Sequence, residues 1–357
     1  MSQSIERIAV IGLGKVGSLV GVLLARTGYT VTGIDGQEKN LPFETQVADV
    51  SDESILGSLI DGNDAVVACL PYHLNLAIAR AAHSRGIHYF DLTEDVPSTK
   101  AILELSKDSN SVLAPQCGLA PGFIGIVGAS LANDFDELRS IELRVGALPE
   151  HPSGLLGYAF NWSPEGVVNE YLNDCEVIRD GRRMMVPALG QNETIVINGL
   201  RLEAFTTSGG LGTMCDTYLG KVQDLNYKTM RYPGHCEQMR FFFQELYMKD
   251  NRQLAGEILV NAKPPVNDDV VFVHAAVEGW QDKQLRREEY VEAFFPIDID
   301  GTTWRAISWT TAASVCAVVE MVSEGALPSK GFIHQESIPF DRYLETKNGS
   351  LYAPEPQ

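Results

Sequence analysis

No segment constrains this chain more than Gly12-Leu13-Gly14-Lys15-Val16-Gly17. It follows directly on an unbroken apolar run, Arg7–Ile11, of the kind a parallel strand buried on both faces requires. It also opens Lys15–Thr27, where Val16, Leu19, Val20, Leu23 and Leu24 recur at helical spacing until Gly28 ends the pattern. A second apolar run, Tyr29–Ile34, leads into Asp35. Gly12 permits the tight turn, Gly14 lets backbone approach a pyrophosphate, and Gly17 allows close packing of helix on strand. The helix N-terminus offers N–H groups and a partial positive charge to phosphate, so Lys15 and Val16 join the glycines as candidate contacts. Asp35 stands where a carboxylate accepts hydrogen bonds from the adenosine ribose. The whole arrangement predicts a dinucleotide site. A carboxylate at 35 repels the extra phosphate of NADP, and Gly36 and Gln37 bring no arginine, so NAD is the expected cofactor.

Further short apolar runs at Ala65–Cys69, His88–Leu92 and Ser111–Ala114 alternate with helical segments near Asn75–Arg85 and Thr99–Ser106. Such alternation reads as a doubly wound parallel sheet, a Rossmann domain over residues 1–120. Ligands of open α/β sheets sit beyond the carboxyl ends of the strands. Asp49 and Val50 are therefore expected near the adenine. Cys69, Leu70, Pro71 and Tyr72, with Asp91 and Thr93, should face the middle and the nicotinamide end.

Beyond Pro121 the pattern changes. Strand-like runs at Ser140–Ala147, Thr194–Ile197, Leu202–Thr206, Val270–Glu278 and Glu289–Ile299 have few helix-length intervals between them. Helices are expected at Pro164–Leu172 and Cys236–Lys249. This predicts a second, α+β domain with a mixed or mainly antiparallel sheet over 121–304, carrying catalysis and oligomerisation. Trp309–Glu324 is apolar nearly all round and reads as a buried helix, near 305–330, that returns to the first domain. About a dozen terminal residues, rich in Asn, Gly, Ser and Pro, are expected to be loose.

Composition excludes several classes. At 357 residues, 45% hydrophobic and 21% charged, the chain is ordinary for a globular protein of two domains. A formal charge of −19 disfavours nucleic acid and anionic membranes as partners. No stretch approaches about 18 unbroken apolar residues, and the start has no basic segment before an apolar one, so neither a span nor a secretory signal is expected. Cys69, Cys117, Cys175, Cys215, Cys236 and Cys316 lie far apart, which suits reduced thiols in a cytoplasmic protein. His151, His274 and His334 lack metal-ligand spacing, so no metal is expected.

One turn and three segments carry a resemblance. Gln116-Cys117-Gly118-Leu119-Ala120-Pro121-Gly122 resembles the turn that joins the last Rossmann strand to the catalytic domain in the saccharopine dehydrogenase-like family. Val145-Gly146-Ala147-Leu148-Pro149, Phe160-Asn161-Trp162-Ser163-Pro164-Glu165 and Met230-Arg231-Tyr232-Pro233-Gly234-His235 follow in the family's order, in wording similar to its lysine 6-dehydrogenase branch. Saccharopine reductases resemble Gly-Leu-Asp-Pro-Gly at the turn, whereas this chain has Ala120, which counts against saccharopine reduction. The resemblance implies NAD-dependent oxidative deamination of the ε-amine of L-lysine, giving a semialdehyde that cyclises. A saccharopine-, opine- or polyamine-type reductase of the same family is an alternative. A non-catalytic NAD-binding regulatory protein is another, since fold alone does not fix function.

Amine oxidation needs a base, partners for the α-carboxylate and α-amine, and controlled water. His235 is a candidate proton carrier because histidine titrates near neutrality. Arg231 is a candidate bidentate carboxylate clamp. Asp91 and Thr93 are candidates to orient the amine or the nicotinamide carboxamide, Tyr72 to face the nicotinamide ribose, and Cys117 to lie near the ring. Each has a structural alternative in turn, packing or ion-pair roles. Asn161 and Trp162 are candidate pocket residues, and Thr206–Gly212 is a glycine-rich turn without a P-loop lysine. A homodimer or homotetramer is expected on symmetry grounds.

Overall fold

Runs of β-branched and small residues with no polar face pair in parallel and are buried on both sides. That is what β1 (Arg7–Ile11), β2 (Thr30–Asp35), β3 (Glu44–Val47), β4 (Ala65–Ala68), β5 (His88–Asp91) and β6 (Val112–Ala114) do. The structure, a computed structural model, describes residues 5–353. These strands belong to its first unit, which extends to Phe123 and resumes at Ser308. A two-residue strand, Gly331–Phe332, completes a seven-stranded parallel sheet in the order Gly331–Phe332, β6, β5, β4, β1, β2, β3. The order reverses at β1, where a doubly wound sheet opens its ligand crevice.

Helices α1 (Lys15–Thr27), α2 (Glu53–Ile60), α3 (Tyr72–Arg85) and α4 (Val96–Leu105) connect the strands. Gly28 and Gly86 end α1 and α3 in the left-handed region. Asp52 and Asp95 cap α2 and α4.

The second unit runs from Ile124 to Ile307. It begins with α5 (Phe123–Ala132) and β7 (Glu137–Pro149). Then come α6 (Pro164–Leu172), β8 (Cys175–Arg179), β9 (Arg182–Val186), β10 (Glu193–Ile197) and β11 (Leu200–Thr206). Short α7 (Met214–Tyr218), β12 (Val222–Arg231), α8 (His235–Arg240) and α9 (Arg252–Ala262) follow, before β13 (Asp269–Gln281) and β14 (Gln284–Phe294). The sheet order is β10, β11, β12, β7, β13, β14, with the β8–β9 hairpin against β12. It is antiparallel except where β12 meets β7, so it is mixed.

Cross-strand register lines up Asp224, Ser140, Glu278 and Arg287 on one face, and Lys228, Arg144 and His274 four residues along. Arg144 and Lys228 are nearly buried and share Glu193, at 2.7 and 2.5 Å. At the other end of the sheet the core gathers Leu148, Phe160, Phe205, Met230 and Phe272.

Several expectations are corrected. Cys236–Lys249 is no continuous helix: α8 passes into a π-helical turn at Phe241–Glu245 and ends before a 3₁₀ turn at Met248–Asp250. The run Glu289–Ile299 splits between β14 and a separate short strand, Ile297–Ile299. The C-terminal residues are not loose as far as Ala353. Glu320 accepts from the Lys347 and Asn348 amides, and Tyr352 stacks on Phe123 at 3.9 Å between centroids. Residues 354–357 lie outside the described residues. The apolar helix α10 (Ala306–Ser323) is long and apolar enough to cross a membrane by composition, but most of it is buried in the fold. Its Cys316 thiol points to the Val20 carbonyl of α1.

Candidate active site

The glycine turn in the first unit is built around absent side chains. Gly12 has φ +89°, and a Cβ there would lie 2.6 Å from the Cys69 carbonyl oxygen. A Cβ on Gly17 would fall 1.8 Å from the Gly12 oxygen. Around Gly14 there is open space, and no side chain caps the start of α1. A tight turn, close helix packing and an open, uncapped helix start are what a pyrophosphate requires, so these residues fit a dinucleotide.

Asp35, partly exposed at the end of β2, accepts from Leu13 N at 2.7 Å and from Gln37 N at 2.9 Å. One oxygen thus pins the turn and the other pins the loop after β2. An ionised carboxylate keeps acceptor sites beyond these two bonds. Lys39 Nζ lies 3.9 Å away, a cation beside the ribose position.

The other predicted cofactor residues divide. Gly14 and Lys15 are exposed, Val16 is half-buried, and Asp49 is exposed and turned into its own loop through Ser51 N and Oγ. Val50 packs on the core beneath the sheet. Cys69 and Leu70 abut the Gly12 turn, Pro71 is exposed and precedes α3, and Tyr72 is half-buried on its first turn. Cys117 is a correction. It is fully buried, its thiol pushed well up by burial and then by Asp91, and it points to the Ala114 carbonyl. A thiol with no exposed surface packs the turn instead of facing a nicotinamide.

Asp91 is corrected as well. It is fully buried; Oδ2 accepts from Tyr89 Oη at 2.7 Å, and Oδ1 from Thr93 N at 2.9 Å and Gln116 N at 3.0 Å. Burial pushes its carboxyl up to about 6 despite these bonds. The side chain expected to orient a substrate instead clips the end of β5 to the turn after β6. Thr93 is buried, and its Oγ1 accepts from Asp95 N at 3.1 Å. Between them stands Glu94, which sequence reasoning passed over. It is half-buried, and burial pushes its carboxyl up to about 7, with Asp95 and Asp91 adding to the shift. Its place in an acidic loop at a strand end was the available signal.

In the second unit a buried ionic and aromatic centre forms around Arg231 and His235. Arg231 ends β12 and donates from Nε to Tyr171 Oη at 2.9 Å and from Nη1 to Met230 O at 2.8 Å and Thr229 Oγ1 at 2.5 Å. Its guanidinium lies 4.6 Å from the centroid of the Tyr158 ring. Burial opposes its charge, but Tyr171, Tyr158 and Glu170 outweigh burial and keep it cationic.

His235 Nδ1 is 2.9 Å from the Leu156 carbonyl, which only accepts, so Nδ1 carries the hydrogen. Nε2 therefore accepts from Tyr171 Oη at 3.0 Å. Burial, then Arg231, lowers the imidazole to about 3. The proton carrier expected near neutrality is thus a neutral fixture at physiological pH. Glu203 holds the turn from below, accepting from Cys236 N at 2.7 Å and Gly234 N at 3.1 Å.

Asn161 Oδ1 takes the Val266 amide, and Trp162 Nε1 donates to Tyr158 Oη. The Thr206–Gly212 turn packs on Tyr227, whose ring a Cβ on Gly210 would meet at 2.2 Å. Tyr158, Tyr171 and Glu203 were missed because they meet Arg231 and His235 only across long sequence separations. Among the described residues no group of three or more His, Cys, Asp or Glu side chains is arranged to hold a metal ion, and none of the six cysteines forms a disulfide.

Residues 8–117 match the family described as the saccharopine dehydrogenase NADP binding domain, and residues 118–348 match the saccharopine dehydrogenase C-terminal domain. The chain belongs to the saccharopine dehydrogenase family. This saccharopine dehydrogenase-family chain is 24% identical over 257 residues to the mitochondrial α-aminoadipic semialdehyde synthase of Mus musculus, covering 66% of itself and 28% of that protein. It is 23% identical over 152 residues to the NADP(+), L-glutamate-forming saccharopine dehydrogenase of Schizosaccharomyces pombe, covering 41% and 34%. The matched stretch therefore spans about a third or less of these relatives. The fold is that of the L-Glu-forming saccharopine dehydrogenase of Saccharomyces cerevisiae, with TM-score 0.78 over 97% of this chain and 98% of that one, at 14% identity. The first unit carries the family's pyridine-nucleotide-binding domain.

Proposed function

We propose that the protein is an NAD-dependent amino-acid dehydrogenase that oxidises the ε-amine carbon of L-lysine, releasing ammonia and a semialdehyde that cyclises. The observation that carries the substrate class is Arg231, a buried guanidinium held over Tyr158 and tied to Tyr171. A cation kept charged inside an aromatic shell suits the α-carboxylate of an amino acid, with Tyr158 shielding the pair from water.

Gly12, Gly14, Gly17 and the first turn of α1 would hold the pyrophosphate, and Asp35 the adenosine ribose. The bound nicotinamide supplies the hydride acceptor. The chain's own task is to fix the amino acid, take a proton from its ammonium and admit water only afterwards. Asp35 supports NAD, because a second charge on the ribose would meet its carboxylate.

A second reading, an NADP-linked saccharopine-type enzyme, is favoured by the names of the relatives and by Lys39, whose ammonium is 3.9 Å from Asp35. The test is a matrix of both cofactors, oxidised and reduced, against amino acids alone, paired with 2-oxo acids or paired with lysine semialdehyde, followed at 340 nm. Lysine-dependent reduction of NAD supports the first reading. Oxidation of NADPH that requires both lysine semialdehyde and glutamate replaces it with the second.

A further inference from the structure

We propose that Glu94 accepts the proton released by the substrate's ammonium group, an assignment that rests on the amine-oxidation reading above. The loop Leu92–Asp95 leaves β5 at the carboxyl edge of the parallel sheet, two strands from β1 in the order β5, β4, β1. That is the edge at which open α/β sheets hold their ligands. The other polar groups of this loop are committed to the fold. The Asp91 oxygens take Tyr89 Oη and the Thr93 and Gln116 amides. Thr93 Oγ1 takes the Asp95 amide, and Asp95 Oδ2 caps α4 through Ser98 N and Oγ. Glu94 is different. Among the described residues only its own amide is bonded to its carboxylate, and Asp95 and Asp91 are the charged groups that act on it.

An ammonium nitrogen has no lone pair, so its neighbouring carbon cannot give up a hydride. In the proposed step one N–H bond breaks and one O–H bond forms on the Glu94 carboxylate. The electron pair of the broken bond stays on nitrogen, and nothing is oxidised or reduced. A lysine side-chain amine in water has a pKa of about 10.4, so very little of it is neutral at pH 7. A carboxyl held at about 7 is ionised just above neutrality and is basic enough to share that proton.

The test compares wild type, Glu94→Gln and Glu94→Asp with the best amine from the panel at saturating NAD. It combines kcat/KM against pH with carbon-13 NMR of glutamate-labelled protein. Wild type should lose activity as pH falls through about 7, and one labelled carboxyl should titrate there. Glu94→Gln should lose that signal, fall about 100-fold or more at pH 7 and move its acid limb toward the amine's own value near 10. Its affinity for NAD should persist, which reports that it is folded. Glu94→Asp should keep an acid limb at reduced rate. A wild-type protein in which no glutamate carboxyl titrates near 7 overturns the assignment, as does a Glu94→Gln enzyme with the wild-type limb. In both cases the dehydrogenase reading stands. If wild type binds NAD yet oxidises no amine, that reading falls and takes the Glu94 step with it.

Discussion

His235 stays neutral because burial strips an imidazolium of its solvation and Arg231 would stand against it as a second cation. An unfolded histidine takes its proton near 6.5, whereas this one resists until about 3. The unfolded chain therefore binds the extra proton first, and native stability is lost as pH falls from 6.5 towards 3, by up to about 1.4 kcal/mol per pH unit. Urea midpoints between pH 4 and 7 should drop more steeply for wild type than for His235→Gln. Arg231→Gln should raise KM for the amino acid by about 10- to 100-fold, the worth of a charge-assisted bond, while NAD affinity in calorimetry is unchanged. Asp35→Ala should weaken NAD by about 1–3 kcal/mol in the same calorimeter. It removes the acceptor for Leu13 N as well as the ribose partner. At this scale the sequence named Arg231, His235 and Asp35 through their motifs. What it could not convey is direction: Asp91 was visible as a strand-end acid, but only Tyr89 and Gln116 reveal that it faces inward.

Among the elements, those that read clearly were buried on both faces or regularly amphipathic. β1, β2 and β4 are unbroken apolar runs, and α1 shows helical spacing bounded by glycine. β12 was missed altogether. Asp224, Asn226 and Lys228 make it look like a loop, and only the cross-strand charges of Arg144 and Glu193 make such a strand affordable. α5 hid for the opposite reason, being apolar on every side and therefore without a helical period. Asp269 opens β13, just before its apolar run, and accepts from Ala306 N at 2.7 Å and Ile307 N at 3.0 Å, the first amides of α10. Asp269→Ala should cost about 1–2 kcal/mol in urea unfolding, and Asp269→Asn, which keeps one of the two acceptor oxygens, should recover only part of it.

For the whole molecule, the first unit is closed by residues that follow the second in sequence. Val315, Cys316 and Val318 of α10 are fully buried, and Tyr352 stacks on Phe123 beside Trp309. Tyr352→Ala should destabilise this unit by about 3–5 kcal/mol, as loss of a large buried aromatic does. Trp309 fluorescence in a urea titration would report it. The same connectivity sets a timetable on the ribosome. By the time Ile307 emerges, every strand of the second unit has been made, and that unit can close on its own. The nucleotide-binding sheet, although translated first, waits with one flank bare until its last helix arrives. Nascent chains that end at Ile307 and are held clear of the exit tunnel by a flexible linker should therefore resist protease over their later half while their first hundred or so residues are cut.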